Sequence, residues 1–157
     1  MKRKNNKGIS LIEILIVIAI IGILSAIIVP SLSKFHNQQV LKNSAEDIFA
    51  LLNEARNSTI SSKNSNTYGV RFLSDRAILF PGEYYTDSTS NKQIDFDQAV
   101  EIPSTGGVNL NTGGIDVIFT RLTGDTEKYG TIIIQLISDE TQQKIINVSK
   151  IGMISVN

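Results

Sequence analysis

The side chain best placed to do chemistry is a carboxylate, Glu13, near the start of the apolar run LIEILIVIAIIGILSAIIV at residues 11–29. An acid at the centre of a membrane-length helix costs roughly 2.5–3.5 kcal/mol, and less near an end. It calls for a cationic partner, so the chemistry on offer is charge pairing in a low-dielectric setting. Other reactive types are scattered. His36 is the single histidine, and a Ser–His–acid triad would have to be built on it. It follows Phe35 on a helical pattern, which predicts a surface position. Asp87, Asp95, Asp97 and Asp116 could offer oxygen ligands to calcium, but they lack the D-x-D-x-D-G spacing and read as solvated loop acids. Gly106-Gly107 and Gly113-Gly114 are followed by no Lys-Ser/Thr pair, so they read as turns and not as a phosphate loop. No catalytic residue, metal site or cofactor is expected, and the chain is not expected to be an enzyme.

The elements that must position Glu13 follow from length and periodicity. At about 1.5 Å per residue the run covers roughly 28 Å as a helix, close to the hydrocarbon thickness of a bilayer and longer than a secretory signal's apolar core. Lys2, Arg3, Lys4 and Lys7 precede it. By the positive-inside rule this end stays cytoplasmic and the bulk of the chain is translocated. A plain signal anchor would have the same length and flanks, but it has no use for Glu13. Pro30 marks a kink. Beyond it Leu32, Phe35, Leu41, Ala45, Ile48, Leu52, Ala55 and Thr59 recur at mostly three- and four-residue steps. Lys34, Gln38, Lys42, Asn43, Glu46, Asp47, Asn53 and Arg56 lie between them. This predicts an amphipathic stem whose apolar stripe packs on a sheet built by the rest of the chain.

Residues 61–67, Ser-Ser-Lys-Asn-Ser-Asn-Thr, end the helix. Strand patterns follow. Residues 68–73 and 77–80 form a hairpin about Ser74-Asp75-Arg76. One strand, interrupted at Asp97-Gln98, is expected over 94–102. The segment 103–114 reads as loop, and 115–120 as a strand. Residues 130–137 are β-branched and apolar enough to be central. Residues 143–148 and 150–156 complete the set. Short turns between successive strands imply antiparallel order. The domains expected are therefore 1–8 leader, 9–29 transmembrane helix, 30–62 amphipathic stem and 63–157 antiparallel β domain. The class is α+β: a long helix packed on an antiparallel sheet or pair of sheets. Net charge is zero, which gives nucleic-acid or acidic-substrate binding no bulk electrostatic support. No cysteine is present, so disulfides, thiolate metal sites and a thiol nucleophile are excluded.

Lys7-Gly8-Ile9-Ser10-Leu11-Ile12-Glu13, the apolar run and Pro30 together resemble the leader and first helix of type IV pilins and type II secretion pseudopilins. That resemblance implies a prepilin peptidase that cuts between Gly8 and Ile9 and then methylates the new Ile9 amine. Most members begin their mature chain with Phe or Met, where this one would begin with Ile. The family's glutamate, fifth in the mature chain, matches Glu13. In a filament its carboxylate would meet the N-terminal amine of a neighbouring subunit, and Pro30 would match the helix-kinking proline.

A softer resemblance runs through Val117-Ile118-Phe119, Gly130-Thr131-Ile132 and residues 144–154, which are similar to H-type minor pseudopilins and the minor pilins called FimT. It implies a two-sheet domain on the helix and a place at or near the tip of a periplasmic pseudopilus. The implied partners are other pseudopilins or pilins, the prepilin peptidase and the bacterial inner membrane, crossed once with the N-terminus cytoplasmic. A minor type IV pilin for pilus assembly or DNA uptake is the alternative. Some FimT-like proteins bind DNA through basic residues, here Arg121, Lys128, Lys144 and Lys150. Asp125, Glu127, Asp139 and Glu140 are interleaved with them, which makes DNA the weaker partner.

Overall fold

A computed structural model describes residues 10–157, with the side chains of 26–31 left out of account. One helix, α1, spans Leu11–Ile60. The chain divides into two compact units: the helix up to His36 belongs to the first, and Asn37–Asn157 form the second.

In the second unit, α1 buries Leu41, Ser44, Ala45, Ile48, Leu51, Leu52, Ala55 and Thr59. Their three- and four-residue steps keep them on one face. Leu32 and Phe35, expected on the same stripe, are both 66% exposed, which corrects that part of the prediction. The apolar period continues upstream of the residues that have a core to face. The helix stops where Ser62, Asn64 and Ser65 adopt left-handed backbone, around a single 3₁₀ turn at Lys63–Ser65. Thr59 ties the helix end to the first strand. Its hydroxyl donates to the Ala55 carbonyl at 2.9 Å and accepts the Tyr68 N–H at 2.9 Å.

Nine strands follow: β1 Tyr68–Phe72, β2 Arg76–Pro81, β3 Lys92–Asp95, β4 Val100–Glu101, β5 Val108–Leu110, β6 Asp116–Ile118, β7 Gly130–Leu136, β8 Asp139–Val148 and β9 Ile154–Val156. They make two antiparallel sheets. One has the order β3-β2-β1-β6; in the other, β4 and β5 both pair with β7, followed by β8 and β9. Val70 sits opposite Leu79 on one side and Val117 on the other, and Ile132 sits opposite Ile146. These side chains, with Phe72, Phe119, Ile134 and Val148, join the helix stripe in a single apolar core. The protein is α+β, a long helix with a two-sheet antiparallel domain.

Four strands depart from the pattern read in the sequence, the simplest being β8, which starts at Asp139 and not at 143 because it pairs with β7 up to Leu136. The strand expected over 94–102 divides: β3 belongs to the first sheet and β4 to the second, with Phe96 to Ala99 crossing between them. The Gly- and Asn-rich segment 103–114 contains β5, which needs close backbone approach. A Cβ at Gly130 would stand 2.1 Å from the Asn109 carbonyl oxygen, and one at Gly107 equally close to that of Pro103. The segment 150–156 forms a strand only from Ile154, because Gly152 turns the chain with φ +73°.

Candidate assembly site

Glu13 lies in the first turn of α1. The Ser10 carbonyl opens that turn, accepting the N–H of Glu13 at 3.0 Å and of Ile14 at 3.3 Å. Ser10 and Glu13 have the Ser-x-x-Glu spacing of a helix start, a signal the apolar run overshadows. A carboxylate here is favoured by the positive end of the helix dipole. Around it the surface is apolar on every side: Leu11 is 81% exposed, and Ile12, Ile14, Leu15, Ile16, Ile18 and Ile20 are all more than half exposed. A helix that is apolar all round needs lipid or other helices about it, because water leaves that area uncompensated. Ser25 fits such surroundings, since its hydroxyl donates to the Ile21 carbonyl at 2.7 Å and leaves no free donor.

Among the described residues no helix is long and apolar enough to cross a membrane. The described side chains of the run stop at Ser25, and its remainder through Val29 lies beyond them. Gly8 and Ile9 lie outside the described residues. Pro30 falls within the span of α1, with its side chain outside the description.

In the β domain the best-formed ion pair serves structure. Arg71 donates Nε and Nη2 to the two oxygens of Asp116, each at 2.7 Å, and its guanidinium stacks 4.1 Å from the Tyr85 ring centroid. Hydrogen bonding to Asp116 raises the Arg71 pKa above its ordinary value. Tyr85 meets Phe80 edge-on, so the chain after β2 is pinned to the outer face of the first sheet. Of the acids weighed as calcium ligands, Asp116 is thus held by an arginine. Among the described residues no group of three or more His, Cys, Asp or Glu gathers as a metal site. The Gly107 N–H goes to the Pro103 carbonyl and the Gly113 N–H to that of Leu110, so these amides close turns. His36 is exposed on α1.

Arg121 and Lys128 line one open pocket together with Glu83 and Glu127. Lys150 lies on the loop after β8, while Lys144 sits within β8 opposite Ile134. Acidic residues thus stand among the basic ones, as the sequence order suggests. Arg56, which sequence places on the polar face of the helix, is half-buried and donates Nε to the Gly124 carbonyl at 3.1 Å. The loops at 120–126 and 149–153 interlock beside it: the Thr126 N–H bonds to the Lys150 carbonyl, and a Cβ at Gly152 would stand 1.8 Å from the Gly124 oxygen. The two loop glycines, with positive φ, were the available signal for this contact.

The fold and its apolar first segment define a pilin-like protein. Residues 3–29 match the prokaryotic N-terminal methylation motif. The structure resembles the type IV minor pilin FimU of Pseudomonas aeruginosa (TM-score 0.55, 16% identity, 74% of this chain and 92% of that one). It also resembles the minor pseudopilin EpsH from the type 2 secretion system of Vibrio cholerae (TM-score 0.51, 16% identity, 74% of this chain and 95% of that one). A sequence comparison with curated proteins finds no match. The chain thus carries the N-terminal methylation motif and shares the pilin-like fold of these two structures.

Proposed function

We propose that this chain is a minor pseudopilin of a type II secretion system, a structural and non-enzymatic subunit placed at or near the tip of a periplasmic pseudopilus. Glu13 carries the reading, as an acid in the first turn of an all-round apolar helix within the methylation motif. Cleavage after Gly8 by a prepilin peptidase would leave an ammonium at Ile9, methylated but still cationic, four residues before Glu13. The Glu13 carboxylate of one subunit would then pair with the Ile9 amine of its neighbour. In a low-dielectric bundle, burying either charge alone is costly and pairing offsets much of that cost, so the pair would set the register of assembly. The chain before Gly8 would remain cytoplasmic and the β domain would lie outside the inner membrane.

A minor type IV pilin is the second reading, favoured by the likeness to FimU over the same share of this chain. Deleting the gene and measuring secretion and piliation side by side separates the two. Mass spectrometry of membrane-extracted protein is expected to find an N-methylated Ile9 terminus; a chain still carrying residues 1–8 beside an active peptidase would refute the processing step. Glu13→Ala is expected to leave membrane insertion intact and to reduce co-purification with other filament subunits at least tenfold, about 1.4 kcal/mol. Unchanged co-purification would remove Glu13 from assembly.

A further inference from the structure

The two sheets leave several strand edges, and all but one are charged or at least partly closed. At β4 the outward N–H groups of Val100 and Ile102 go to the carbonyls of Asp97 and Ser74. At β5 the outward Leu110 carbonyl accepts the Gly113 N–H. At β6 the Ile118 carbonyl accepts the Thr126 hydroxyl at 2.7 Å, and Asp116 is charged. Strand β3 carries Lys92 and Asp95. Features of this kind keep an edge from pairing with another chain.

The edge of β9 has none of them. Asn157 and Ile145 exchange main-chain hydrogen bonds, and the Ser149 N–H goes to the Met153 carbonyl. Pairing with β8 therefore uses residues 153, 155 and 157, opposite 149, 147 and 145. By the alternation of an antiparallel pair, the N–H and C=O groups of Ile154 and Val156 point away from β8. Those four groups meet no hydrogen-bond partner among the described residues. The side chains of Ile154 and Val156 are half-buried against the core, and Ile151 and Met153 before them are 64% and 61% exposed. Residues 151–157 include no charged side chain and no proline. An open, uncharged and apolar edge is a template for a further strand.

A second copy of β9 does not fit that template. Antiparallel pairing would turn one domain by half a turn about the sheet normal, and its helix, lying along the sheet, would enter from the opposite side. Two copies rooted in one membrane cannot meet in that way. The contact is also small. Four main-chain bonds and two side chains do not hold a freely diffusing protein against the entropy of association. They suffice for a partner already tethered alongside, where the effective concentration is high.

We propose that β9 is the place where a different subunit of the same filament adds an uncharged strand to the second sheet. The incoming strand takes the four free groups and lays apolar side chains over Ile154 and Val156. One edge accepts one strand, so the contact fixes a single neighbour and does not extend into a row. The proposal rests on the filament reading above and goes beyond the Glu13 pair, since the contact lies wholly in the β domain.

The chain has no cysteine, so a single introduced one reports position. Full-length Ser155→Cys protein, in membranes of cells that make the other subunits, is labelled with a short maleimide–diazirine reagent and illuminated. A conjugate is expected with a different protein that carries its own N-terminal methylation motif, attached through that protein's β domain. Asn109→Cys, three strands away on the same face and roughly 14 Å distant, should lack that conjugate. Val156→Pro in the Ser155→Cys chain removes an outward N–H and no bond to β8. It should lower the yield at least tenfold with the unfolding midpoint of the domain unchanged. Ile154→Pro repeats the test at the other outward amide, and Val156→Ile, which keeps both groups, should retain the yield. No conjugate, equal yield from the proline variants, conjugates only between copies of this chain, or conjugates only with a protein lacking the motif would each overturn the proposal. The N-terminal mass of the same sample reports the filament reading separately. A chain cleaved after Gly8 but without conjugate defeats the edge contact alone, whereas an uncleaved chain beside an active peptidase defeats that reading and the contact with it.

Discussion

Leu15 and Leu52 belong to one continuous helix and meet opposite surroundings. Leu15 is 51% exposed among neighbours just as bare, whereas Leu52 is fully buried against two sheets. Residues 11–24 of the helix present almost only apolar side chains, exposed all round, and leave their compensation to lipid or to other helices. The part after Asn37 has one apolar face and finds its compensation inside its own chain. Helical propensity does not distinguish the two; what differs is whether the polar residues are excluded from the helix or gathered on one side.

The largest test pairs those leucines. Leu52→Ala should destabilise the domain by about 2–5 kcal/mol, the usual range for a buried leucine, while Leu15→Ala should change it by less than about 0.5 kcal/mol. Chemical unfolding of full-length protein in detergent, followed by near-UV signals of the β domain, measures both. Equal effects would erase the distinction. The two hydroxyls come next. Thr59→Val leaves the buried Tyr68 N–H without its acceptor and should cost about 1–3 kcal/mol. Ser25→Ala removes only a bond to the helix's own Ile21 carbonyl and should leave domain stability unchanged.

Surface ion pairs are expected to matter less. Glu54 on the helix reaches Lys92 on β3 at 2.5 Å, with both side chains about half exposed, so Lys92→Ala should cost no more than about 1 kcal/mol. Lys42→Ala, which breaks the 3.7 Å pair with Glu46 within the helix, should cost about 0.3–0.5 kcal/mol. The smallest effect is set by pH. Hydrogen bonds from Thr123 and then Thr120 hold the Asp125 carboxyl below its ordinary pKa. A lowered folded-state pKa contributes stability above the unfolded carboxylate value, near 3.9, and loses it as pH falls through the lower folded value. The protection factor of the Thr120 amide, whose N–H bonds to the Asp125 carbonyl, should therefore drop as pH falls through the lowered Asp125 value, and Asp125→Asn should flatten that response.

Much of this could be read from residue order because the signals were local. A lone acid in an apolar run, a three-and-four stripe ending at Thr59, and the β-branched segment at 130–136 each carry their own periodicity. What escaped was decided at long range. β6 takes its place beside β1 through pairing of Val117 with Val70, which no local pattern encodes. β5 is three residues long and depends on Gly107 and Gly130 letting backbones approach. Arg56 reads as a solvent-facing cation until two distant loops close over it. The charge pair proposed for Glu13 would be intermolecular, and a single chain does not test it.

The pairing of β1 with β6 also constrains the order in which the protein can be made. Residues 68–72 must wait for residues 116–118 before the first sheet is complete, and the core that includes the helical stripe is not whole until Ile132, Ile134, Ile146 and Val148 have been made. During synthesis, a growing polypeptide would thus carry a bare greasy helix face for most of its elongation. Ribosome stalling or premature termination ahead of residue 130 would yield an aggregation-prone fragment rather than a smaller working subunit.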